Sequence, residues 1–447
     1  MTGPTDTDAV VMRRRIKAIV AGSSGNLVEW YDFYVYAAFS LYFAKSFFPA
    51  GDETAQLLAT AGIFAVGFLM RPLGAWYFGR LADRSGRRLA LTWSVMTMCV
   101  GSAIIAVTPT YDTIGVAAPV VLLVARLIQG FSLGGEYGTS ATYLSEMAAS
   151  ERRGFYSSFQ YVTLIGGQLC AMLVLIVLQS VVLTEAQLDA WGWRIPFAIG
   201  AALAIVVMVM RRQMPETSAF ANSQNRDGTL TGLMKYPAEV AIVVGLTMGG
   251  TVAFYTFTTY MQKFLVNTSG FAKDTATLIM TLALFIYMLM QPLVGALSDR
   301  VGRRSVLLAF GIMGTLCTWP LLTALQDTRD PLAAFLLVLT GLVIVSGYTA
   351  INAVVKAELF PAHVRALGVG LPYALTVAIF GGTAEYVALW FKQAGHATWF
   401  YGYVTACIAI SLMVYAGMRD TKKSKAKAVA ALPFRRERIL AVGLLAF

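Results

Sequence analysis

Two acidic residues interrupt an apolar stretch near the start of the chain. The segment GNLVEWYDFYVY, residues 25–36, places Glu29 and Asp32 among aromatic and aliphatic side chains. Three residues apart on a helix, the two carboxylates would share much of one face. A buried carboxylate near a cation can be poised to take up a proton and release it again. The pattern indicates proton coupling, with Asp32 as the carrier and Glu29 as a structural hydrogen-bond partner. The alternative for Asp32 is a permanently ionised partner of an arginine.

The composition of the chain places these acids inside a membrane protein. Of its 447 residues, 57% are hydrophobic and only 13% are charged, too few for the surface of a soluble protein of this length. Apolar runs of about 20 residues, enough to cross a bilayer as helices, recur along the chain. We therefore predict an all-α membrane protein with twelve transmembrane helices at residues 18–43, 55–79, 89–108, 116–144, 155–182, 193–211, 238–262, 274–297, 305–324, 332–357, 367–391 and 399–418.

The distribution of basic residues predicts the orientation in the membrane. With a cytoplasmic N-terminus, 26 of the 35 lysines and arginines fall on cytoplasmic segments and five on outer loops, which is the positive-inside pattern. The net charge of +11 therefore reflects topology and not nucleic-acid binding. We expect a multi-pass protein of the inner (cytoplasmic) membrane with both termini in the cytoplasm. The four other basic residues fall within spans or at their ends: Arg71, Arg126, Arg194 and Lys356.

An internal repeat divides the chain into two homologous halves. Residues 79–88, GRLADRSGRR, return as GALSDRVGRR at residues 295–304, an offset of 216. Glu146 and Glu358, each followed by arginine and glycine, match at an offset of 212. Parallel six-helix halves are typical of secondary transporters that bind substrate near the midplane between them. The predicted divisions are a cytoplasmic N-terminal segment (1–17), the two halves (18–211 and 238–418), a cytoplasmic linker (212–237) and a basic cytoplasmic tail (419–447).

The repeated loop predicts a charged latch on the cytoplasmic side. Gly79 and Gly295 allow close helix approach, and Asp83 and Asp299 can pair with helix N-termini or with arginines. Such a network would hold the halves together inside while the outside is open. Two copies at equivalent positions favour this function over a plain positive-inside loop. The other residues predicted for this cytoplasmic gate are Arg84, Arg87, Arg88, Glu146, Arg152, Arg300, Arg303, Arg304, Glu358 and Arg365. Arg84, Arg87, Arg88 and their counterparts are expected to face the cytoplasm.

Several motifs resemble a known family. Both repeated loops resemble the signature of the major facilitator superfamily. The stretches GNLVEWYDF, FLMRPLG, ARLIQGFSLGGEYG and WGWRIPF resemble its metabolite:proton symporters. Three longer runs resemble the α-ketoglutarate carriers within that family: SFQYVTLIGGQL (158–169), FYTFTTYMQKFLVNT (254–268) and KAELFPAHVRALGVGLPYA (356–374). The resemblance covers residues 13 to about 418 and implies the major facilitator fold. The tail from residue 431 carries no motif that resembles the family.

The resemblance also implies roles for the charges within the spans. In related sugar:proton porters an arginine at the position of Arg126 faces the acid of the first helix, which implies an Asp32–Arg126 pair with Glu136 as a further partner. The Arg126 guanidinium could also bind a substrate carboxylate through two parallel hydrogen bonds. Arg71 is predicted either to contact substrate or to pair structurally. Further substrate-binding candidates are Tyr255, Tyr260, Glu385 and Tyr386, with packing as the alternative for Tyr255 and Tyr260. Arg194 is predicted as an interfacial anchor or outer gate, and Lys356 is expected to snorkel.

These inferences predict a symporter that imports a dicarboxylate with protons by alternating access. The resemblance implies that this dicarboxylate is α-ketoglutarate or a similar compound. Protonation of Asp32 would free Arg126 to hold the anion, and deprotonation inside would release it. The alternatives are a symporter for citrate, shikimate or betaine and proline, a multidrug exporter, and a non-transporting sensor on the same scaffold. The cavity arginines disfavour the exporter. We expect the dicarboxylate, protons and the lipid bilayer as partners, and a monomer.

Other chemistries find no support in the sequence. The four cysteines lie within predicted spans, the two histidines lie on loops, and neither set has metal-ligand spacing. No P-loop motif occurs. We therefore expect no enzyme activity, cofactor, metal, ATP or nucleic acid. The basic tail, residues 420–447, is expected to lie on the inner leaflet or to be unstructured, and to take no part in transport.

Overall fold

The structure is a computed structural model that describes residues 6–49, 53–148, 150–212, 216 and 229–421. Within these ranges the chain is helical and has no β-strand. In chain order the main helices are α1 (Asp6–Phe47), α2 (Glu53–Ser85), α3 (Arg87–Val107), α4 (Ala117–Met147), α5 (Arg153–Val177), α6 (Arg194–Arg212), α7 (Pro237–Tyr255), α8 (Lys273–Val301), α9 (Arg303–Asp327), α10 (Pro331–Thr349), α11 (Arg365–Thr376) and α12 (Trp399–Gly417). Shorter helical segments are Tyr111–Ile114, Ser150–Arg152, Leu178–Val182, Glu185–Gln187, Leu188–Gly192, Leu230–Leu233, Thr256–Tyr260, Met261–Asn267, Asn352–Leu359, Val377–Gly381 and Ala384–Gln393.

Each predicted span falls on one of these helices. Among the described residues, nine helices are long and apolar enough to cross a membrane, and they include α3 to α10 and α12. The three other predicted spans correspond to α1, α2 and the interrupted helix that begins with α11. Helix α1 starts at Asp6, inside the segment predicted to precede the first span. Most of the predicted linker and the tail beyond Thr421 lie outside the described residues, so the boundaries set there stay predictions.

Helices α7, α10 and α11 change their winding within the membrane region. Helix α7 continues through a wider π-helical turn, Thr256–Tyr260, and α11 through another, Val377–Gly381. Helix α10 stops at Thr349, and the chain resumes as a helix at Asn352. The Asn352 side chain donates to the Thr349 carbonyl oxygen at 2.9 Å. Irregular backbone is tolerated at membrane depth where side chains satisfy it in this way, and it often marks a functional position.

The described chain packs as two compact units that follow the two halves apart from two exchanged segments. The first unit contains Met1–Ala148, Thr163–Thr229 and Ala362–Leu371, and the second contains Ala149–Val162, Leu230–Pro361 and Pro372–Phe447. The start of α5 thus packs within the second unit, and the start of α11 packs within the first. These exchanged segments are the ones that the repeated loops contact.

In the first unit, glycines let α2 and α4 cross backbone to backbone. A Cβ atom at Gly130 would overlap the carbonyl oxygen of Gly67, and one at Gly134 would overlap that of Arg71. Small residues at a helix crossing maximise van der Waals contact, which drives helix association in a membrane. The crossing brings the backbones of α2 and α4 together beside Arg71 and Arg126.

This packing predicts different outcomes for two glycine substitutions. We expect Gly130→Ala to lower the midpoint of thermal unfolding of the detergent-purified protein, because overpacking a tight contact costs about 1–3 kcal/mol. Gly62→Ala is the control, since a Cβ there meets no atom within 4 Å and alanine is the better helix former. It should leave the midpoint unchanged or slightly raised. Equal destabilisation by both substitutions would contradict the tight crossing.

Candidate functional site

The carboxyl group of Asp32 is enclosed by side chains and backbone of three helices in the first unit. Asp32 on α1 is fully buried. Its Oδ2 accepts a hydrogen bond of 2.5 Å from the Ser102 hydroxyl on α3. Its Oδ1 lies against Gly200 of α6, where any Cβ would overlap it, and accepts no hydrogen bond from the described part of the chain. Sequence reasoning missed Ser102 and Gly200, because a serine and a glycine in apolar helices carry no distinctive signal.

A chain of two neutral side chains connects Asp32 with Arg126. Arg126 Nη1 donates to Gln129 Oε1 at 2.7 Å, and Gln129 Nε2 donates to Ser102 Oγ at 2.9 Å. A guanidinium can only donate, so the amide of Gln129 has one orientation and the Ser102 proton is directed to Asp32. The predicted direct Asp32–Arg126 pair is therefore corrected to a relay. The motif residue Gln129, three positions after Arg126, supplies the link that was not predicted.

Arg126 and Arg71 both lie over one aromatic ring. Their guanidinium carbons lie 5.5 Å and 4.8 Å from the centroid of Phe33, and both side chains are buried. Arg126 also lies 4.1 Å from the Tyr36 ring, and Arg71 lies 4.0 Å from the Phe68 ring. Faces of aromatic rings stabilise cations without neutralising them. The two arginines are close enough for their charges to interact, so two positive charges lie near one ring.

Glu29 and Glu136 belong to a second buried cluster. Glu29 Oε1 accepts hydrogen bonds from Ser94 at 3.0 Å and from Ser132 at 2.6 Å. Glu136 forms an ion pair with Arg211, which contacts both of its carboxylate oxygens, and both side chains are fully buried. The predicted partnership of Glu136 with the Asp32–Arg126 pair is therefore wrong. Arg211 ends an apolar run, where the positive-inside pattern predicts a cytoplasmic residue, but its side chain is fully buried in the helix bundle.

Lys356 in the second unit is also placed differently from its prediction. The side chain is fully buried and does not snorkel to the interface. Its Nζ donates to Asn352 Oδ1 at 3.0 Å and lies 4.0 Å from the centroid of the Tyr373 ring. The expectation failed because the sequence does not show that the helix is interrupted between Thr349 and Asn352 or that the side chain just beyond the interruption is buried.

The two candidate tyrosines of α7 lie among aromatic side chains of the second unit. Tyr255 and Tyr260 are 6% and 5% exposed, so both rings are packed. Tyr255 stacks edge-on against Phe254 at 5.3 Å. Tyr260 contacts Phe264 at 6.1 Å and Phe400 at 5.6 Å. These contacts support the packing alternative for the rings and leave a substrate contact as a prediction.

The candidates toward the outer side make contacts of other kinds. Glu385 pairs with Lys263, and both side chains are partly exposed. The side chain of Tyr386 lies outside the described residues. Arg194 donates to the Thr108 carbonyl oxygen at 2.9 Å and lies over the Trp193 ring at 4.1 Å. Arg194 thus ties α6 to the end of α3, and its role as an outer gate stays a prediction.

The first repeated loop caps a helix. The Asp83 carboxylate accepts hydrogen bonds from the backbone amides of Ala366 at 3.1 Å and Leu367 at 2.9 Å, in the first turn of α11. It also pairs with Arg87 at 2.9 Å. Carboxylates bind helix N-termini because the first amides there have no partner within the helix. Gly79 permits this approach, since a Cβ there would lie 2.9 Å from the Leu367 Cα.

Further charged side chains form a network around the helix cap made by Asp83. Arg87 bridges to Glu146 at 3.3 Å and donates to the Ala362 carbonyl oxygen at 2.7 Å. Glu146 also accepts from Arg365 at 2.5 Å. The Glu216 carboxylate accepts from the backbone amide of Arg87 at 3.1 Å. The network joins the loop, the end of α4 and the start of α11 within the first unit.

The second repeated loop repeats the arrangement in the second unit. Asp299 accepts from the amides of Gly154 and Phe155, both at 2.9 Å, in the first turn of α5. It pairs with Arg303 at 2.8 Å, and Arg303 lies 3.8 Å from Glu358. Gly295 packs against the backbone of Gly154. The tail contributes as well: Thr421 donates to Glu358 at 2.6 Å, and Asp420 accepts from the Arg303 amide at 3.3 Å.

The arginines of the two loops divide into two groups. Arg87 and Arg303 are buried in the networks, which corrects the expectation that they face the cytoplasm. Arg304 is partly buried and donates to the Ala416 carbonyl oxygen at 2.7 Å at the end of α12. Among the remaining predicted gate arginines, Arg365 is buried as well, and four have exposed side chains: Arg84, Arg88, Arg152 and Arg300.

The chain matches known transporters along most of its length. Residues 17–231 match the family "Sugar (and other) transporter", and residues 240–447 match "Major Facilitator Superfamily". The chain is 58% identical over 403 residues to the alpha-ketoglutarate permease of Escherichia coli (strain K12), covering 90% of this chain and 93% of that protein. It is 36% identical over 391 residues to the citrate-proton symporter of Klebsiella pneumoniae, covering 85% and 86%. The proton:xylose symporter XylE bound to 6-bromo-6-deoxy-D-glucose has a TM-score of 0.80 at 16% identity and covers 93% of this chain and 99% of its own.

The chain therefore belongs to the major facilitator superfamily. It is a proton-coupled secondary transporter of a small molecule, a multi-pass inner-membrane protein and not an enzyme. The predicted family, the all-α fold of twelve membrane helices in two halves and the symporter class are confirmed. The residues that carry coupling and binding stay predictions.

The two helix caps give a reciprocal prediction. We expect Asp83→Ala to raise amide hydrogen exchange at Ala366 and Leu367, because their buried amides lose the acceptor, and to leave Gly154 and Phe155 unchanged. Asp299→Ala should have the opposite pattern. Hydrogen-exchange mass spectrometry on peptides that cover 364–368 and 152–156 measures both. Equal effects of either variant on both peptides would indicate general unfolding and contradict two separate caps.

The pKa of Asp83 predicts that the stability of the helix cap that it forms depends on pH. Burial raises the pKa of Asp83 to about 6, against the opposing effects of Arg87 and the Leu367 and Ala366 amides. In an opened, hydrated cap the pKa returns toward about 3.9. The Asp83 carboxyl group therefore binds a proton more tightly in the closed cap than in the opened cap. The stability that this proton adds to the closed cap is fully present below about pH 4 and is lost as the pH rises through about 6. Exchange of the 364–368 peptide, corrected for the intrinsic rate, should slow by about 20-fold between pH 6.5 and 4.5. Asp83→Asn should abolish this dependence of the corrected exchange rate on pH. An unchanged pH dependence in Asp83→Asn would contradict the prediction.

Proposed function

We propose that this transporter imports α-ketoglutarate or a similar dicarboxylate together with protons. The observation that carries the proposal is the pair of buried arginines at the Phe33 ring, Arg71 and Arg126, one of them connected to Asp32. Two guanidiniums offer two forked donor sets, which suit two carboxylates. The 58% identity to the alpha-ketoglutarate permease supports this substrate.

The relay supplies a mechanism for coupling. While Asp32 is ionised, it draws the Ser102 proton, Ser102 accepts from Gln129, and Gln129 accepts from Arg126. When Asp32 is protonated, it no longer attracts the Ser102 proton as strongly. The hydrogen bonds that connect Ser102 with Gln129 and Gln129 with Arg126 then weaken. Arg126 can then turn its donors to a substrate carboxylate. Loss of the proton to the cytoplasm restores the relay and favours release of the anion.

The two loop networks provide the cytoplasmic gate in this proposal. Their caps involve the starts of α11 and α5, so they must break for those helix ends to move. We further propose that both termini are cytoplasmic, as the excess of basic residues on that side supports. We also propose that the protein works as a monomer within the lipid bilayer, and that its divisions fall at residues 17, 211, 237 and 418.

Uptake into proteoliposomes tests the proposal. With an imposed inward proton gradient, labelled α-ketoglutarate should accumulate, and unlabelled α-ketoglutarate should compete better than citrate, succinate or betaine. Preference for citrate or betaine would overturn the substrate assignment.

Asp32→Asn should abolish accumulation driven by the gradient, because position 32 can no longer bind and release a proton, and should leave substrate exchange across the membrane. Asp112→Asn removes an exposed acid outside the site and serves as the control. Ser102→Ala breaks the relay but keeps the acid, so it should weaken coupling without abolishing substrate binding. Full concentrative uptake by Asp32→Asn would rule out the carrier role.

A further inference from the structure

Glu29 on α1 lies beside two serines that connect α3 with α4. The Ser94 hydroxyl of α3 lies 2.9 Å from the Ser132 carbonyl oxygen, and the Ser132 hydroxyl of α4 lies 2.6 Å from the Ser94 carbonyl oxygen. Glu29 Oε1 lies 3.0 Å from the Ser94 hydroxyl and 2.6 Å from the Ser132 hydroxyl. The Glu29 side chain is 0% exposed, so its hydrogen bonds must come from these protein groups.

The two serine hydroxyls have too few protons to serve an ionised Glu29 as well. Each hydroxyl has one proton, so two protons face four contacts to oxygen acceptors. Glu29 Oε2 receives no hydrogen bond from the described part of the chain. A buried carboxylate is costly unless its oxygens are hydrogen-bonded. With a proton on Oε1, Glu29 can donate to the Ser132 hydroxyl, and both serines can donate to the carbonyl oxygens.

The charges around Glu29 favour the same proton. The Arg211 guanidinium contacts both carboxylate oxygens of Glu136. Glu136 is close enough to Glu29 for their charges to interact, and Arg211 is the one cation in the described part of the chain that interacts with Glu29 in this way. The guanidinium also lies against α1 one turn before Glu29, because a Cβ at Gly25 would overlap it. Two buried carboxylates thus share one positive charge, and a single proton makes the cluster neutral.

We propose that Glu29 is a second proton-binding site, separate from Asp32, and that it holds a proton as a neutral carboxylic acid while Glu136 is paired with Arg211. The proton comes from water, forms an O–H bond with Oε1 and is donated to the Ser132 hydroxyl. Glu29, predicted from the sequence as a structural hydrogen-bond partner, thus acquires a proton of its own. The inference does not depend on which substrate is carried.

Infrared difference spectroscopy of the reconstituted full chain near neutral pH tests the site. An exposed glutamate is ionised at this pH, whereas a neutral carboxylic acid has a separate C=O stretching band that shifts in deuterated water. The spectrum of the natural protein minus that of Glu29→Gln should contain this band, because glutamine has nearly the same shape but no carboxyl group. Glu151→Gln changes an exposed glutamate and is the matched control, which should lack the band. Ser132→Ala should shift the band, since it removes the proposed acceptor.

Glu136→Gln distinguishes shared charge from burial alone. Without the second carboxylate, Glu29 should lose its proton and become the counter-ion of Arg211, so the Glu29 band should disappear. Substituting both glutamates removes both carboxylates from the cluster. It should lower the midpoint of thermal unfolding by more than the sum of the two single effects.

Two results would overturn the proposal. One is the absence of a carboxylic acid band from the difference between the natural protein and Glu29→Gln. The other is a Glu29 band that persists in a folded Glu136→Gln protein. If Glu136→Gln fails to fold, the Glu29→Gln spectrum alone decides whether Glu29 holds a proton.

Discussion

A charge inside an apolar helix bundle must be compensated locally, and the first unit of this transporter meets that constraint in two ways. Glu136 and Arg211 form a direct, fully buried ion pair. Arg126 is connected to Asp32 through Gln129 and Ser102. Removing one member of a direct buried pair costs about 3–5 kcal/mol, so such a pair is a structural element. A relay of neutral groups rearranges at lower cost, because each link can exchange its partner.

The positions of these charges depend on residues with little or no side chain. Glycines bring α2 against α4, so that two arginines on neighbouring helices lie over one ring. Gly200 leaves the space that the Asp32 carboxylate occupies. On the cytoplasmic side, Gly79 and Gly295 let a loop carboxylate reach the amides of another helix. The positions of these acids and arginines thus depend on glycines, which leave room for the backbones and carboxylates to approach closely.

The sequence predicted the fold well because its signals are strong. Span length and the positive-inside bias follow from the bilayer itself, and the repeat at an offset of 216 is visible in the sequence directly. The repeated aspartates were also expected near helix N-termini, where the structure places them. The pairings inside the bundle were less predictable. Glu136, Arg211 and Lys356 were misplaced, because their partners depend on helix rotation and on the α10 break, which hydropathy does not report.

The two cations at Phe33 have a consequence for what else can cross the membrane. Guanidiniums 4.8 Å and 5.5 Å from one ring centroid make the surrounding region electropositive. Fixed positive charges along a permeation route form a barrier to inorganic cations and to free protons. An empty carrier with this arrangement would hold back a sodium or proton leak driven by the membrane potential. A proton would then cross mainly when it is bound to a carboxyl group. If Arg71 and Arg126 bind the anion as proposed, the same charges also protect the gradient that drives its uptake.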